Sequence, residues 1–178
     1  MIRTRVGYAG GSTKNPTYHN LADHTETVQI DYDPNVIGYE ELLSLFFAAH
    51  NCFRTAFSRQ YKSIIFVHDA EQERTARAAK AALQARTGRT VQTDIVTAWE
   101  FYRAENYHQK YALQGKKAIL EEFRRMYPDF GGIVDSTAAA RVNGFLYGCG
   151  SPDEVRRLKD DLGLSSEAVD RLIQVLGG

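Results

Sequence analysis

The chain has 178 residues, 43% of them hydrophobic and 11% aromatic, enough for one domain with a sizeable buried core. Lys plus Arg and Asp plus Glu each number 22, so no net charge draws it to nucleic acid or to an anionic membrane. No apolar run reaches the roughly 20 residues of a membrane span, and the residues after Met1 lack the apolar core of a secretion signal. The two distant cysteines, Cys52 and Cys149, exclude a dense disulfide framework. The expected location is the cytoplasm, with both thiols reduced.

The turn Val6-Gly7-Tyr8-Ala9-Gly10-Gly11 follows Met1 so closely that it leaves room for one short strand. Gly10-Gly11 gives positive φ freely and Tyr8 offers a phenol at the strand's end; the segment suits a ligand site, or an ordinary turn after an edge strand. Thr25–Asp31 alternates, with Glu26, Val28 and Ile30 on one face, which predicts a strand with one apolar side. Asp33-Pro34 ends it. Residues 39–47 predict a helix that carries Leu42, Leu43, Phe46 and Phe47 on one side. Residues 63–67 form a short apolar run, expected as a buried strand. Residues 70–86 are strong helix formers stopped by Gly88, and 91–98 alternates again as a strand. The order strand, strand, helix, strand, helix, strand implies an α/β (α+β) two-layer sandwich, with helices packed on a mainly antiparallel sheet.

Residues 106–127 read as largely helical, and nothing beyond them carries a strand signal. Ser151 is a predicted N-cap, with Pro152 at the first helical position and Glu154 closing a capping box. Gly163 should end that helix. Ser165 caps a last one, in which Ala168, Val169, Leu172, Ile173 and Leu176 make an apolar stripe. The expected division is a domain over 1–127 and a helical extension over 128–178, without internal repeats.

Four segments act as a set: Gly7-Tyr8-Ala9-Gly10-Gly11 with Asn15-Pro16-Thr17-Tyr18, His24-Thr25-Glu26, Gln60-Tyr61-Lys62-Ser63, and Ala104 through Tyr111, which contains Glu105-Asn106-Tyr107-His108-Gln109. In this order and spacing they resemble the A-type peptide methionine sulfoxide reductases, from Met1 to about Tyr111. The resemblance implies a ferredoxin-like core, here without its first strand and helix, and thiol-dependent repair of the S epimer of methionine sulfoxide, free or in proteins. In such chemistry a cysteine thiolate attacks the sulfoxide sulfur, an acid protonates the departing oxygen, and a second thiol resolves the sulfenic acid. By motif, Glu26 takes the acid's position, and Tyr8 and Tyr61 those of the phenols that hold the sulfoxide oxygen. Thioredoxin or another dithiol would be the reductant, with no bound cofactor and a monomeric protein.

On physical grounds a carboxyl on the apolar face of a strand is desolvated, which favours its proton-donating form; the other reading of Glu26 is an exposed edge residue or an ion-pair partner. Tyr8 and Tyr61 read alternatively as packing phenols, and His108 as a structural residue with its ring tied to a backbone carbonyl. Five scattered histidines offer no metal-ligand spacing. Two departures from the family pattern stand out. Ala56 occupies the position of its aspartate, five residues before Tyr61, and no Gly-Cys-Phe-Trp segment with the nucleophile and the methyl-binding aromatic pair is present; Trp99, the single tryptophan, lies too far along the chain to replace it. The expectation is a truncated reading of a longer reductase, with the nucleophile, cysteine or selenocysteine, upstream of Met1 together with an interior strand. Cys52 is a candidate substitute nucleophile or a small buried hydrophobe. Cys149, between Gly148 and Gly150, is a candidate resolving thiol or an inert one. The alternatives to the enzyme are a catalytically dead module that binds sulfoxide through Tyr8, Glu26 and Tyr61, and an interaction domain with a vestigial site.

Overall fold

The computed structural model describes residues 2–97 and 100–177. Expectations that touch Met1, Ala98 and Trp99 lie outside the described residues. The chain forms two compact units, one of Gly7–Thr27 and Tyr32–Arg103, the other of Met1–Val6, Val28–Asp31 and Ala104–Gly178. Strands β1 (Arg3–Ala9) and β2 (Thr25–Asp31) contribute residues to both.

In the first unit, β3 (Ile64–Val67) and β4 (Asp94–Thr97) pair in parallel, with Ile65 opposite Ile95 and Val67 opposite Thr97. Helix α1 (Tyr39–Ala48) precedes them and α2 (Ala70–Thr87) connects them. Asp69 caps α2 by accepting from the Gln72 N–H, and Gly88, at φ 66°, ends it. Leu43, Ile65, Val67 and Ala76 form a small core, flanked by Tyr39, Phe46, Phe47, Ala79 and Ile95. β5 (Tyr102–Arg103) pairs antiparallel with β1, Tyr102 opposite Tyr8, in a sheet of order β2-β1-β5.

The mixed α/β class expected from the sequence is present, but as two small sheets rather than one mainly antiparallel layer. The reason lies in α2: a helical crossover returns the chain so that β4 enters in the same direction as β3. The two-residue β5 is too short to leave an alternation signal.

Apart from its parts of β1 and β2, the second unit is helical. Residues 106–127 break into a single 3-10 turn (Asn106–His108), α3 (Tyr111–Gln114) and α4 (Lys117–Met126). The break follows from Lys110, which sits in the left-handed region at φ 49°. Its stem is buried, and its ammonium donates to the Thr4 carbonyl at 2.5 Å. Gln109, also buried, grips β1 from the same side: its Oε1 accepts from the Val6 N–H at 3.0 Å, and its Nε2 donates to the Val6 carbonyl at 2.7 Å.

Four further helices follow: α5 (Phe130–Asp135), α6 (Thr137–Leu146), α7 (Pro152–Leu162) and α8 (Ser166–Gly177). Ser151 accepts from the Glu154 N–H and Gly163 ends α7 at φ 66°; Ser165 accepts from the Ala168 N–H. Leu113, Phe123, Val142, Val155 and Leu172, none with any exposed surface, centre a core that α3, α4, α6, α7 and α8 all enter. Among the described residues no helix is long and apolar enough to cross a membrane.

β2 turns its faces opposite to the expected sense. Val28 is 55% exposed and Ile30 39%, whereas the alternate residues Gln29 and Asp31 are engaged. Arg5 donates to Gln29 Oε1, Asp31 Oδ2 and Asp135 Oδ1 at 3.1, 3.2 and 2.7 Å, and Arg3 pairs with Asp31 at 2.5 Å. Two arginines on one face of β1 require carboxylates and amides beside them, and that demand sets which side of β2 turns inward.

Candidate active site

Three of the four motif segments meet within the α/β unit, held by hydrogen bonds. Gly10 turns the chain at φ 79°. The next N–H, from Gly11, donates to His24 Nδ1 at 3.3 Å, and His24 Nε2 donates to the Thr13 carbonyl at 2.8 Å. A carbonyl only accepts, so the ring proton sits on Nε2 and Nδ1 is free to receive Gly11. The His24 ring, 1% exposed, meets Tyr102 edge-on at 5.6 Å. Asp23 accepts the Ser12 N–H on both oxygens, at 2.9 and 3.0 Å, and this bond holds its carboxyl below the usual range.

Arg59 joins the glycine turn to the segment ahead of β2. Its Nε donates to the Asp23 carbonyl at 2.5 Å and its Nη2 to the Gly10 carbonyl at 3.0 Å. In return, the Thr25 hydroxyl donates to the Arg59 carbonyl at 3.0 Å. The Glu26 N–H donates to the Gln60 carbonyl at 3.0 Å, and Gln60 Nε2 donates to Glu26 Oε1 at 2.7 Å. Glu26 and Gln60 are therefore paired by both main chain and side chain, with Tyr61 the next residue along.

Glu26 is exposed. The expectation of a carboxyl desolvated on a buried apolar face is corrected: this is the face of β2 that stays open, and the ordering partner is an amide. Tyr61 is 49% exposed and open to a ligand, while Tyr8 is buried at 2%. Ala56, in the aspartate's place, is partly buried.

The two thiols differ. Cys52 is 1% exposed, an environment that keeps a thiol from substrate and corrects the idea of an accessible substitute nucleophile. Cys149 is exposed, on a turn with Gly148 and Gly150 at φ 78° and 100°, and belongs to the helical unit. His108 lies in the 3-10 turn rather than an α-helix, its ring 4.3 Å from that of Tyr107.

Sequence reading did not single out Arg59, Gln60 as the partner of Glu26, or the Tyr102–Glu100 pair. Tyr102 donates to Glu100 Oε2 at 2.6 Å, which pushes its phenol up. Gln60 was within reach of pattern reasoning, since it lies inside a motif segment. Arg59 bonds to main-chain carbonyls, which any residue supplies and which leave no mark in a sequence. Among the described residues no group of three or more His, Cys, Asp or Glu is arranged to hold a metal.

Comparison with known proteins agrees with the motif geometry. The family model described as peptide methionine sulfoxide reductase matches residues 1–126. The chain is similar to a peptide methionine sulfoxide reductase of Drosophila melanogaster, 41% identical over 167 residues that cover 93% of this chain and 67% of the relative. It is also similar to peptide methionine sulfoxide reductase A5 of Oryza sativa subsp. japonica, 37% identical, covering 91% of this chain and 65% of the relative. It thus spans about two thirds of the length of these relatives. Among solved structures, reduced Mxr1 from Saccharomyces cerevisiae superposes with a TM-score of 0.59 at 29% identity, over 64% of this chain and 71% of that one. Methionine sulfoxide reductase A of Corynebacterium diphtheriae gives 0.56 at 32% identity, over 64% of this chain and 63% of that one. Taken with the three motif segments that Arg59 and Gln60 tie together, these matches establish that the chain belongs to the peptide methionine sulfoxide reductase family.

Proposed function

We propose that the protein reduces the S epimer of methionine sulfoxide, free or in proteins, with Glu26 as proton donor and with Tyr61 and Tyr8 as the phenols around the sulfoxide oxygen. The observation that supports this reading is the pairing of Glu26 with Gln60. A side-chain bond of 2.7 Å and a main-chain bond of 3.0 Å hold an open carboxyl against Gln60, whose chain neighbour Tyr61 presents a half-exposed phenol. A thiolate forms a bond to the sulfoxide sulfur and the S–O bond breaks. The leaving oxygen takes a proton from Glu26, because an unprotonated oxide is a poor leaving group. The released hydroxide, or a water in its place, then adds to the cysteine sulfur of the S–S-linked sulfonium, and that S–S bond breaks with its electron pair going to the substrate sulfur. The products are methionine and a sulfenic acid, which a second thiol converts to a disulfide and water. Substrate in the site excludes the water that now reaches Glu26.

Gln60 fixes one carboxyl oxygen and leaves the other to the substrate. Arg59 keeps the glycine turn against the segment that leads into β2, so the two walls move together. Cys149, exposed on a turn with two left-handed glycines, suits the resolving thiol. Thioredoxin or another dithiol restores it, the protein acts as a monomer in the cytoplasm, and 1–127 is the catalytic part, followed by the helical part over 128–178. The attacking thiol belongs to the family's Gly-Cys-Phe-Trp segment, which the 178 residues do not contain.

The test is Glu26→Gln in the protein with the family's Gly-Cys-Phe-Trp segment joined to it, with S-methionine sulfoxide and dithiothreitol. Removal of a general acid lowers kcat by about 10²–10⁴. An unchanged rate would overturn the assignment of Glu26.

A further inference from the structure

Phe57 is the most exposed large apolar side chain among the described residues, 87% exposed. Nothing in the packing of the α/β unit uses it: the apolar cluster there is built from Leu43, Ile65, Val67 and Ala76 with their neighbours. Its ring instead lies against that of Tyr61, centroids 5.3 Å apart and planes tilted by 43°. Tyr61 follows Gln60, which holds Glu26. An open aromatic surface therefore continues from the proposed sulfoxide site, through Tyr61 to Phe57, on a single loop.

We propose that Phe57 is a specificity-determining residue that receives an apolar side chain two positions from the methionine sulfoxide of a polypeptide substrate. This rests on the reading of Glu26 and Tyr61 as the sulfoxide site. The spacing selects the position. In an extended peptide alternate side chains share one face, about 7 Å apart, comparable to the 5.3 Å between the two rings. A methionine sulfoxide seated at Tyr61 and Glu26 thus carries its second neighbour over Phe57. Occupation removes the exposed ring from water, a gain that free methionine sulfoxide does not supply. The inference names a preference for oxidised methionines in apolar, extended segments, such as unfolded or damaged protein presents.

Four peptides test it by calorimetric or NMR titration of the 178-residue protein: acetyl-Leu-Gly-Met-Gly-Leu-amide and acetyl-Gly-Gly-Met-Gly-Gly-amide, each with methionine as the S-sulfoxide and as the thioether. The leucine sulfoxide peptide should bind about fivefold more tightly than the glycine one, an increment of about 1 kcal/mol. Phe57→Ala should shrink that preference below about twofold, and Phe57→Leu should retain most of it. With 87% of Phe57 in solvent, neither change disturbs packing. Equal affinity of the two sulfoxide peptides for the unmodified protein, or a preference that survives Phe57→Ala, overturns the role of Phe57 and leaves the sulfoxide site standing. Equal affinity of sulfoxide and thioether peptides overturns the sulfoxide site itself, and absence of binding by all four overturns both.

Discussion

The helical unit and the α/β unit are held by different forces. Helices α3 to α8 share a core of large side chains with little or no exposure, among them Leu113, Phe123, Ile133 and Leu172. The α/β unit has four buried apolar residues at its centre and, around the glycine turn, a web of directed bonds from His24, Arg59, Thr25 and Gln60. Apolar burial is non-directional, so it stabilises a unit without fixing any one atom. The carboxyl and phenol proposed to react, Glu26 and Tyr61, would have to be held to fractions of an ångström, and only directed bonds do that. Bulk stability and positional precision are thus assigned to different parts of the chain.

The largest effect expected is on the helical core. Phe123→Ala removes a ring with no exposed surface from the centre of the cluster and should cost about 3–5 kcal/mol in urea unfolding. A loss below about 1 kcal/mol would mean that this core does not carry the unit, and the contrast would fail. Next in size is the buried charge of the same unit. Lys110 is 5% exposed, and burial lowers its ammonium from an ordinary value of 10.5 to about 8; Asp135 opposes that shift and Arg5 assists it. The folded state therefore binds the proton less tightly than the unfolded chain does. Between about pH 8 and 10.5 the unfolded chain holds more protons, so stability rises with pH across that window. After discounting for water that still reaches the group, the gain is on the order of 2 kcal/mol. Urea midpoints at pH 7.5 and pH 10 measure it, and Lys110→Met should flatten the difference. A midpoint that falls with pH in the parent but not in the variant would reverse the sign assigned to Lys110.

How much of each unit could be read from sequence follows from the same contrast. Helix ends were readable, because Ser151, Pro152, Gly163 and Gly88 act locally and the structure uses each as its type requires. The inward face of Thr25–Asp31 was not. Alternation shows that two faces differ, and the choice between them came from Arg3 and Arg5 on another strand. The break at Lys110 carried no signal either, since its left-handed backbone is held by a bond to Thr4 more than a hundred residues away. In the site, the motif residues Glu26 and Tyr61 stood out by type and spacing. Arg59 did not, because its acceptors are main-chain carbonyls, nor did Phe57, whose meaning lies in exposure.

The smaller predictions probe the web itself. A Cβ on Gly11 would overlap the His24 ring and crowd Asp23, so Gly11→Ala should cost about 1.5 kcal/mol, as overpacking does. The loss should fall mainly on the α/β unit. Hydrogen exchange separates the two units: amides of β3 and α1 should exchange faster, while those of α6 and α8 keep their protection. Uniform loss of protection would show that the units do not unfold separately.

Arg59→Lys is smaller still. Lysine keeps the charge but replaces a planar fork with a single ammonium, which cannot reach the Asp23 and Gly10 carbonyls with the same two fixed donors. Loss of one such bond at an exposed position costs roughly 0.5–1 kcal/mol, too little to shift unfolding much. The distinctive consequence is local. The Gly10–Gly11 turn loses its tie to the Glu26 side of the proposed site, so kcat of the protein joined to the family's Gly-Cys-Phe-Trp segment should fall while the urea midpoint barely moves. Ser151→Ala is the matched control in the helical unit. It removes a cap of about 1 kcal/mol and should lower the midpoint with kcat intact. If the two substitutions behave alike, in either direction, then stability and positioning are not divided between the units, and Arg59 is one more surface contact.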